Sequence, residues 1–138
     1  MNEPAPEARE QSENFGVVSA LIATRLALSL SRKYRRRLHI LHLSTEEEVA
    51  LLRQDKPAWV TAEAIPNHLL LNVDDYAELG TLAQMNPPLR KAADNAALWA
   101  GLGDGIIDFI ATDHAPHTLE EKNLGYPRAP SGMPGGET

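Results

Sequence analysis

The chain has 138 residues, 19 acidic against 13 basic, a net charge of −6 and no cysteine. That length suits one domain with a modest core and falls short of the about 250 residues that a closed (β/α)8 barrel usually takes. The acidic balance argues against a nucleic-acid partner, and the lack of cysteine excludes a disulfide-stapled scaffold and fits a cytoplasmic protein.

Residues 1–13 carry two prolines and four glutamates and read as a disordered or loosely held lead-in, with nothing of a signal peptide. Residues 15–36 read as a helix with a broad apolar face made by Val17, Val18, Leu21, Ile22, Leu26, Leu28 and Leu30. Arg25, Ser29, Ser31 and Arg32 interrupt it, so it is not a membrane span. The basic run from Arg32 to Arg37 suits a helix C-terminus. A strand is expected over 38–43, where alternation puts His42 on the face of Ile40 and opposite His39. Ser44 or Thr45, followed by Glu46, Glu47 and Glu48, starts a helix over 45–54 that ends before Pro57. The β-branched and aromatic stretch 58–64 reads as a strand that runs into the Pro66-Asn67 turn, with His68 just beyond.

An acidic, partly helical segment covers 72–80, and a short strand over 81–86 reaches Asn86 before Pro87-Pro88 stops it. Leu89 to Leu102 is helical and closes at Gly101, Gly103 and Gly105. The last strand, 106–112, holds an unbroken apolar run of the kind buried on both faces of a parallel sheet. It delivers Asp113, His114 and His117 into a loop over 113–138 that is rich in proline and glycine.

Polar residues just past the C-terminal ends of parallel strands are where α/β barrels place their chemistry. Singly, His42 and His68 read as structural histidines and Asp113 as a helix N-cap. Together, two imidazoles and a carboxylate at the ends of three strands suit a catalytic divalent metal, most naturally zinc.

Several segments carry a family resemblance: His39-Ile-Leu-His42-Leu-Ser-Thr45, Glu63-Ala-Ile-Pro-Asn-His68, Met85-Asn-Pro-Pro-Leu-Arg90, Ile107 to Lys122 and Pro130-Ser-Gly132. In order and spacing they resemble the C-terminal half of a dihydroorotase, in the cyclic amidohydrolase family. The resemblance implies an α/β fold, a partial (β/α)8 TIM barrel supplying about strands 5 to 8, with 14–112 as the half-barrel segment and 113–138 as an active-site loop truncated at its end. It implies that His42 and His68 bind the second of two zinc ions. Asp113 would ligate the first and act as general base and acid. Asn86, His117 and the backbone around Gly132 would hold the carboxylate and ring amide of the substrate. The implied reaction is the reversible hydrolysis of dihydroorotate to carbamoyl-aspartate in pyrimidine biosynthesis.

The family also uses a His-x-His pair and a bridging carboxylated Lys or Asp, and neither occurs here: the five histidines are His39, His42, His68, His114 and His117. The chain is therefore expected to hold half an active site and to be inactive alone, its partner being the missing N-terminal half or a second copy. Two alternatives stand beside this reading. One is a non-catalytic dihydroorotase-like partner of aspartate transcarbamoylase; the other is a hydantoinase or allantoinase.

Overall fold

Three short parallel strands, β1 (Leu38–Ile40), β2 (Val60–Ala64) and β3 (Phe109–Ile110), form one sheet in that order. The structure, a computed structural model, describes residues 15–136; the expected lead-in over 1–13 lies outside the described residues. Leu38 lies beside Val60, Ile40 beside Ala62 and Glu63 beside Phe109. The helices are α1 (Phe15–Tyr34), α2 (Glu46–Asp55), α3 (Pro66–Leu70), α4 (Tyr76–Leu79), α5 (Ala92–Gly103) and α6 (Leu119–Lys122). Turns of 3₁₀ helix cover Val73–Asp75 and Gly80–Ala83. No described helix is long and apolar enough to cross a membrane.

One face of the sheet is packed by α1, α2 and α5. Ile40, Val60, Ala62 and Ala64 point there and share a core with Leu28, Val49, Leu52, Leu98 and Ile107. A methyl on Gly101 would come within 3.1 Å of Ile107 and 3.2 Å of Val49, so glycine lets α5 approach both. A second core of Ile65, Val73, Tyr76, Ala83, Met85 and Leu89 lies beneath residues 65–89. There the Leu89 amide donates to the Tyr76 hydroxyl at 3.1 Å and the Val73 amide to the Arg90 carbonyl at 2.8 Å.

Helix α2 begins as its sequence requires. The Thr45 side chain accepts from the Glu48 amide, and three glutamates occupy the first turn. Glu48 itself is buried and takes hydrogen bonds from Thr24 on α1 at 2.7 Å and from Thr45 at 2.9 Å. The Asp94 carboxylate accepts from the Glu46 amide at 2.8 Å and from the Lys91 amide at 2.9 Å, which joins the starts of α2 and α5.

Two expectations are corrected. The segment 81–86 is not a strand: Gly80–Ala83 is a 3₁₀ turn and the rest is irregular. Both edges of β2 are already taken, one by β1 and the other by β3, with the Asp108 amide on the Ala62 carbonyl and the Ala111 amide on the Ala64 carbonyl. Pro87 and Pro88 have no amide hydrogen to offer a ladder. The sheet among the described residues thus has three strands where four were expected. The second correction concerns α1, which meets the core through Thr24, Leu28 and Ser31, whereas Val18, Ile22, Leu26 and Leu30 face outward. Polar anchors set this orientation: Thr24 binds Glu48, and the Trp59 indole donates to the Ser31 hydroxyl at 3.0 Å.

Candidate functional site

Side chains alternate along a strand, so the residues between the core positions point to the other face of the sheet. That face carries His39, Thr61, Glu63 and Phe109. The His39 ring stacks on Phe109 with centroids 4.9 Å apart. Its Nδ1 lies 2.8 Å from the Thr61 hydroxyl and its Nε2 2.7 Å from Glu63 Oε2.

His42 joins this face, contrary to the alternation argument. β1 ends at Ile40, Leu41 swings out to solvent, and His42 takes a left-handed backbone with φ 52°. The next residue, Leu43, returns to the core, and its amide donates to the Glu63 carbonyl at 3.0 Å. This twist brings His42 Nδ1 to 2.9 Å from Glu63 Oε1, close but out of line for a hydrogen bond; both atoms are buried and neither has another hydrogen-bond partner among the described residues. The other ring nitrogen, Nε2, lies 3.6 Å from Asp113 Oδ1. Asp113 also has a left-handed backbone, φ 43°, and His42, Asp113 and Arg35 are the only non-glycine residues with positive φ among those described. Strained backbone at two facing polar residues is characteristic of functional sites.

His68 sits on α3 and is buried. Its Nε2 donates to the Pro87 carbonyl at 3.0 Å, which leaves the lone pair on Nδ1, a buried atom without a partner among the described residues. Desolvation lowers its pKa to about 4, assisted by the charge of Arg90 and opposed by the hydrogen bond to Pro87. The helix is held from outside: the Asn95 side-chain Nδ2 donates to the carbonyls of His68 and Leu71, and the Trp99 indole to that of Leu69.

The remaining predicted residues lie in the loop region. Asn86 is on an exposed bend before Pro87. His117 is 3.7 Å from Glu121 through Nδ1, and its Nε2 points at Gly132. With φ 147°, and with Ala115 O only 2.6 Å from where a Cβ would stand, position 132 accepts glycine alone. The Gly132 amide donates to the Gln84 carbonyl at 2.9 Å. The structure thus brings His42 to Asp113 and His117 to Gly132.

The donors suit a divalent metal in kind: His68 is held neutral by burial, its Nδ1 is unpaired, and His42 and Asp113 face each other across a gap too wide for a hydrogen bond. Among the described residues, however, no three His, Cys, Asp or Glu side chains assemble into a group that could hold a metal ion. What is present fits part of a ligand set. Sequence reasoning missed Glu63 and His39, whose signal was a lone carboxylate inside the apolar strand Val60-Thr-Ala-Glu-Ala64 and an equally isolated imidazole in the neighbouring strand, where the ladder sets His39 beside Thr61 and its ring reaches diagonally to Glu63.

No protein-family profile matches the chain. The dihydroorotase of Bacillus subtilis is 56% identical over 102 residues, which is 72% of this chain and 24% of that protein. The dihydroorotase of Enterococcus faecalis is 46% identical over 127 residues, 89% of this chain and 30% of that protein. Among solved structures, the L-hydantoinase (dihydropyrimidinase) of Arthrobacter aurescens superposes with a TM-score of 0.74 at 32% identity, over 81% of this chain and 26% of that one. The chain spans about a quarter of the length of the curated relatives it matches.

Proposed function

Because the chain is homologous to a stretch of the dihydroorotases, within the cyclic amidohydrolases, we propose that it forms the part of a cytoplasmic dihydroorotase that carries the general base and the carboxylate subsite. The reaction is the reversible opening of the ring amide of dihydroorotate to carbamoyl-aspartate. The observation that carries this reading is the pairing of His42 with Asp113 at 3.6 Å, each on a left-handed backbone at the end of a strand.

His42, His68 and Asp113 would hold zinc, together with ligands from elsewhere in a longer protein. Zinc there would supply Lewis-acid polarisation of the ring carbonyl and of the attacking water. Asp113 takes the proton from that water and returns it to the departing ring nitrogen. His117 and the Gly132 backbone, which the loop sets side by side, bind the substrate carboxylate and ring amide together with Asn86, a positioning role that fixes the carbonyl relative to Asp113. A second reading, the opening of a hydantoin or dihydropyrimidine ring, is favoured by the likeness to the Arthrobacter hydantoinase. It uses the same base and would not need an anion subsite.

The test is Asp113→Asn in a zinc-loaded protein that contains this stretch within a complete barrel. Turnover of dihydroorotate should fall by about a thousandfold, within the range for loss of a general base, with the melting temperature unchanged. Retained turnover would remove Asp113 from the chemistry. Turnover of hydantoin or dihydrouracil in preference to dihydroorotate would move the assignment to the second reading.

A further inference from the structure

Lys122, the last residue of α6, is buried although it carries an ammonium group. A buried charge is costly unless it is fully hydrogen-bonded, and here all three ammonium hydrogens are placed. Nζ donates to the carbonyls of Gln84 at 2.9 Å, Pro130 at 2.9 Å and Gly132 at 2.8 Å. The Lys122 carbonyl in turn accepts from the Thr81 hydroxyl at 2.6 Å. Burial lowers the lysine pKa. The three carbonyls come from different places: Gln84 lies on the segment leading to Asn86, whereas Pro130 and Gly132 lie on the far arm of the loop that begins at Asp113. Two further bonds run along the same seam, from the Gly132 amide to the Gln84 carbonyl and from the Gln84 side chain to the Ala129 carbonyl. The near arm closes onto the far one through the Ala115 amide and the Met133 carbonyl at 3.0 Å.

We propose that Lys122 is a positioning residue for the substrate subsite: its ammonium gathers three carbonyls so that Gly132, His117 and Asn86 hold a common spacing. The inference rests on the dihydroorotase reading for the identity of the substrate, and on the hydrogen bonds alone for the fastening. A single tetrahedral ammonium can serve three carbonyls that converge on one point. A planar guanidinium cannot, because its donors diverge as a fork.

Lys122→Met and Lys122→Arg in the full chain test the proposal by hydrogen–deuterium exchange read segment by segment. In both variants, amides over 80–86 and 113–136 should exchange at least tenfold faster, while those of β1, β2 and α2 keep their rates. A titration with dihydroorotate, followed at the His117 ring by NMR in a zinc-loaded protein that contains this stretch within a complete barrel, should show binding at least tenfold weaker in Lys122→Met than in the unaltered protein. Unchanged exchange over those two segments in Lys122→Met would overturn the proposal. So would equal loss of protection throughout β1 and β2 in both variants, since the lysine would then support the whole fold. If exchange rises only at the loop but dihydroorotate shifts nothing even in the unaltered complete protein, the fastening stands and the dihydroorotase reading is what has failed.

Discussion

The two faces of the small sheet are built from the same three strands and differ in every other respect. Towards the helices β2 shows Val60, Ala62 and Ala64, all buried in an apolar core. Towards the other side it shows Thr61 and Glu63, with His39 from β1 and Phe109 from β3. A parallel sheet normally buries both faces under apolar side chains, so a face given to hydrogen-bonded ionisable groups is poorly suited to being core. The difference separates what holds the chain together from what it uses. Substitutions on the first face should act on stability, and those on the second on binding.

The largest effect on stability is expected on the covered face. Leu98 on α5 is fully buried among strand and helix residues. Leu98→Ala removes that packing and leaves a cavity, which costs about 2–5 kcal/mol. Urea unfolding followed by circular dichroism would measure it. A loss below about 1 kcal/mol would mean that the helices sit loosely on the sheet and that the contrast between the faces is false.

A second effect arises where α3 leaves the sheet. His68 has a folded pKa of about 4 against an ordinary value of 6.5, because burial disfavours its charged form. Its contribution is therefore complete above pH 6.5 and is lost as the pH falls from 6.5 towards 4, when the unfolded chain takes up a proton that the folded chain refuses. The shift corresponds to roughly 3 kcal/mol. Melting curves in zinc-free buffer should show the loss in that window, and His68→Gln should flatten it. An unaltered slope in His68→Gln would place the titration elsewhere.

The parts of this architecture that were legible in the sequence follow simple local rules. Thr45 with three glutamates starts a helix, and the starts of α1, α2 and α5 lie within a few residues of expectation. The strand around Val60 was readable for the same reason, whereas the apolar run 106–112, expected to be buried on both faces, forms only the two-residue strand Phe109–Ile110, with both residues about half exposed. What failed depended on pairing or on single dihedral angles. Residues 81–86 look like a strand in isolation, but β2 has no edge left to pair with them. His42 was assigned to the wrong face because alternation assumes extended backbone, and one left-handed residue reverses it. The outward stripe on α1 was invisible because hydrophobicity does not reveal that Thr24 and Ser31 are the anchors. Of the candidate site, His42, His68, Asn86, Asp113, His117 and Gly132 were named from the sequence, whereas Glu63 emerged only when the fold brought its side chain to the rings of His39 and His42.

The smallest effect on stability, and the sharpest test of the contrast, is expected at Glu63. Its side chain is as buried as many in the core, yet it faces the other side and bonds His39 at 2.7 Å. Glu63→Gln keeps the shape and leaves an amide oxygen for His39, so the fold should lose only about 1 kcal/mol, the usual worth of one hydrogen bond. The second carboxylate oxygen lies 2.9 Å from His42 Nδ1 but out of line for a hydrogen bond; in the proposed zinc site a small turn of the ring would align the two, and a carboxylate hydrogen-bonded behind a ligating imidazole fixes its orientation and raises its basicity. Zinc affinity of a protein carrying this stretch should therefore fall by about tenfold, within the range for loss of such a partner, as read by competition with a chelating dye. Leu98→Ala should do the opposite, lowering stability while leaving the affinity of the folded fraction unchanged. If Glu63→Gln instead cost as much stability as Leu98→Ala and left zinc binding intact, the Glu63 face would be a second core, and the division of labour between the faces would be abandoned.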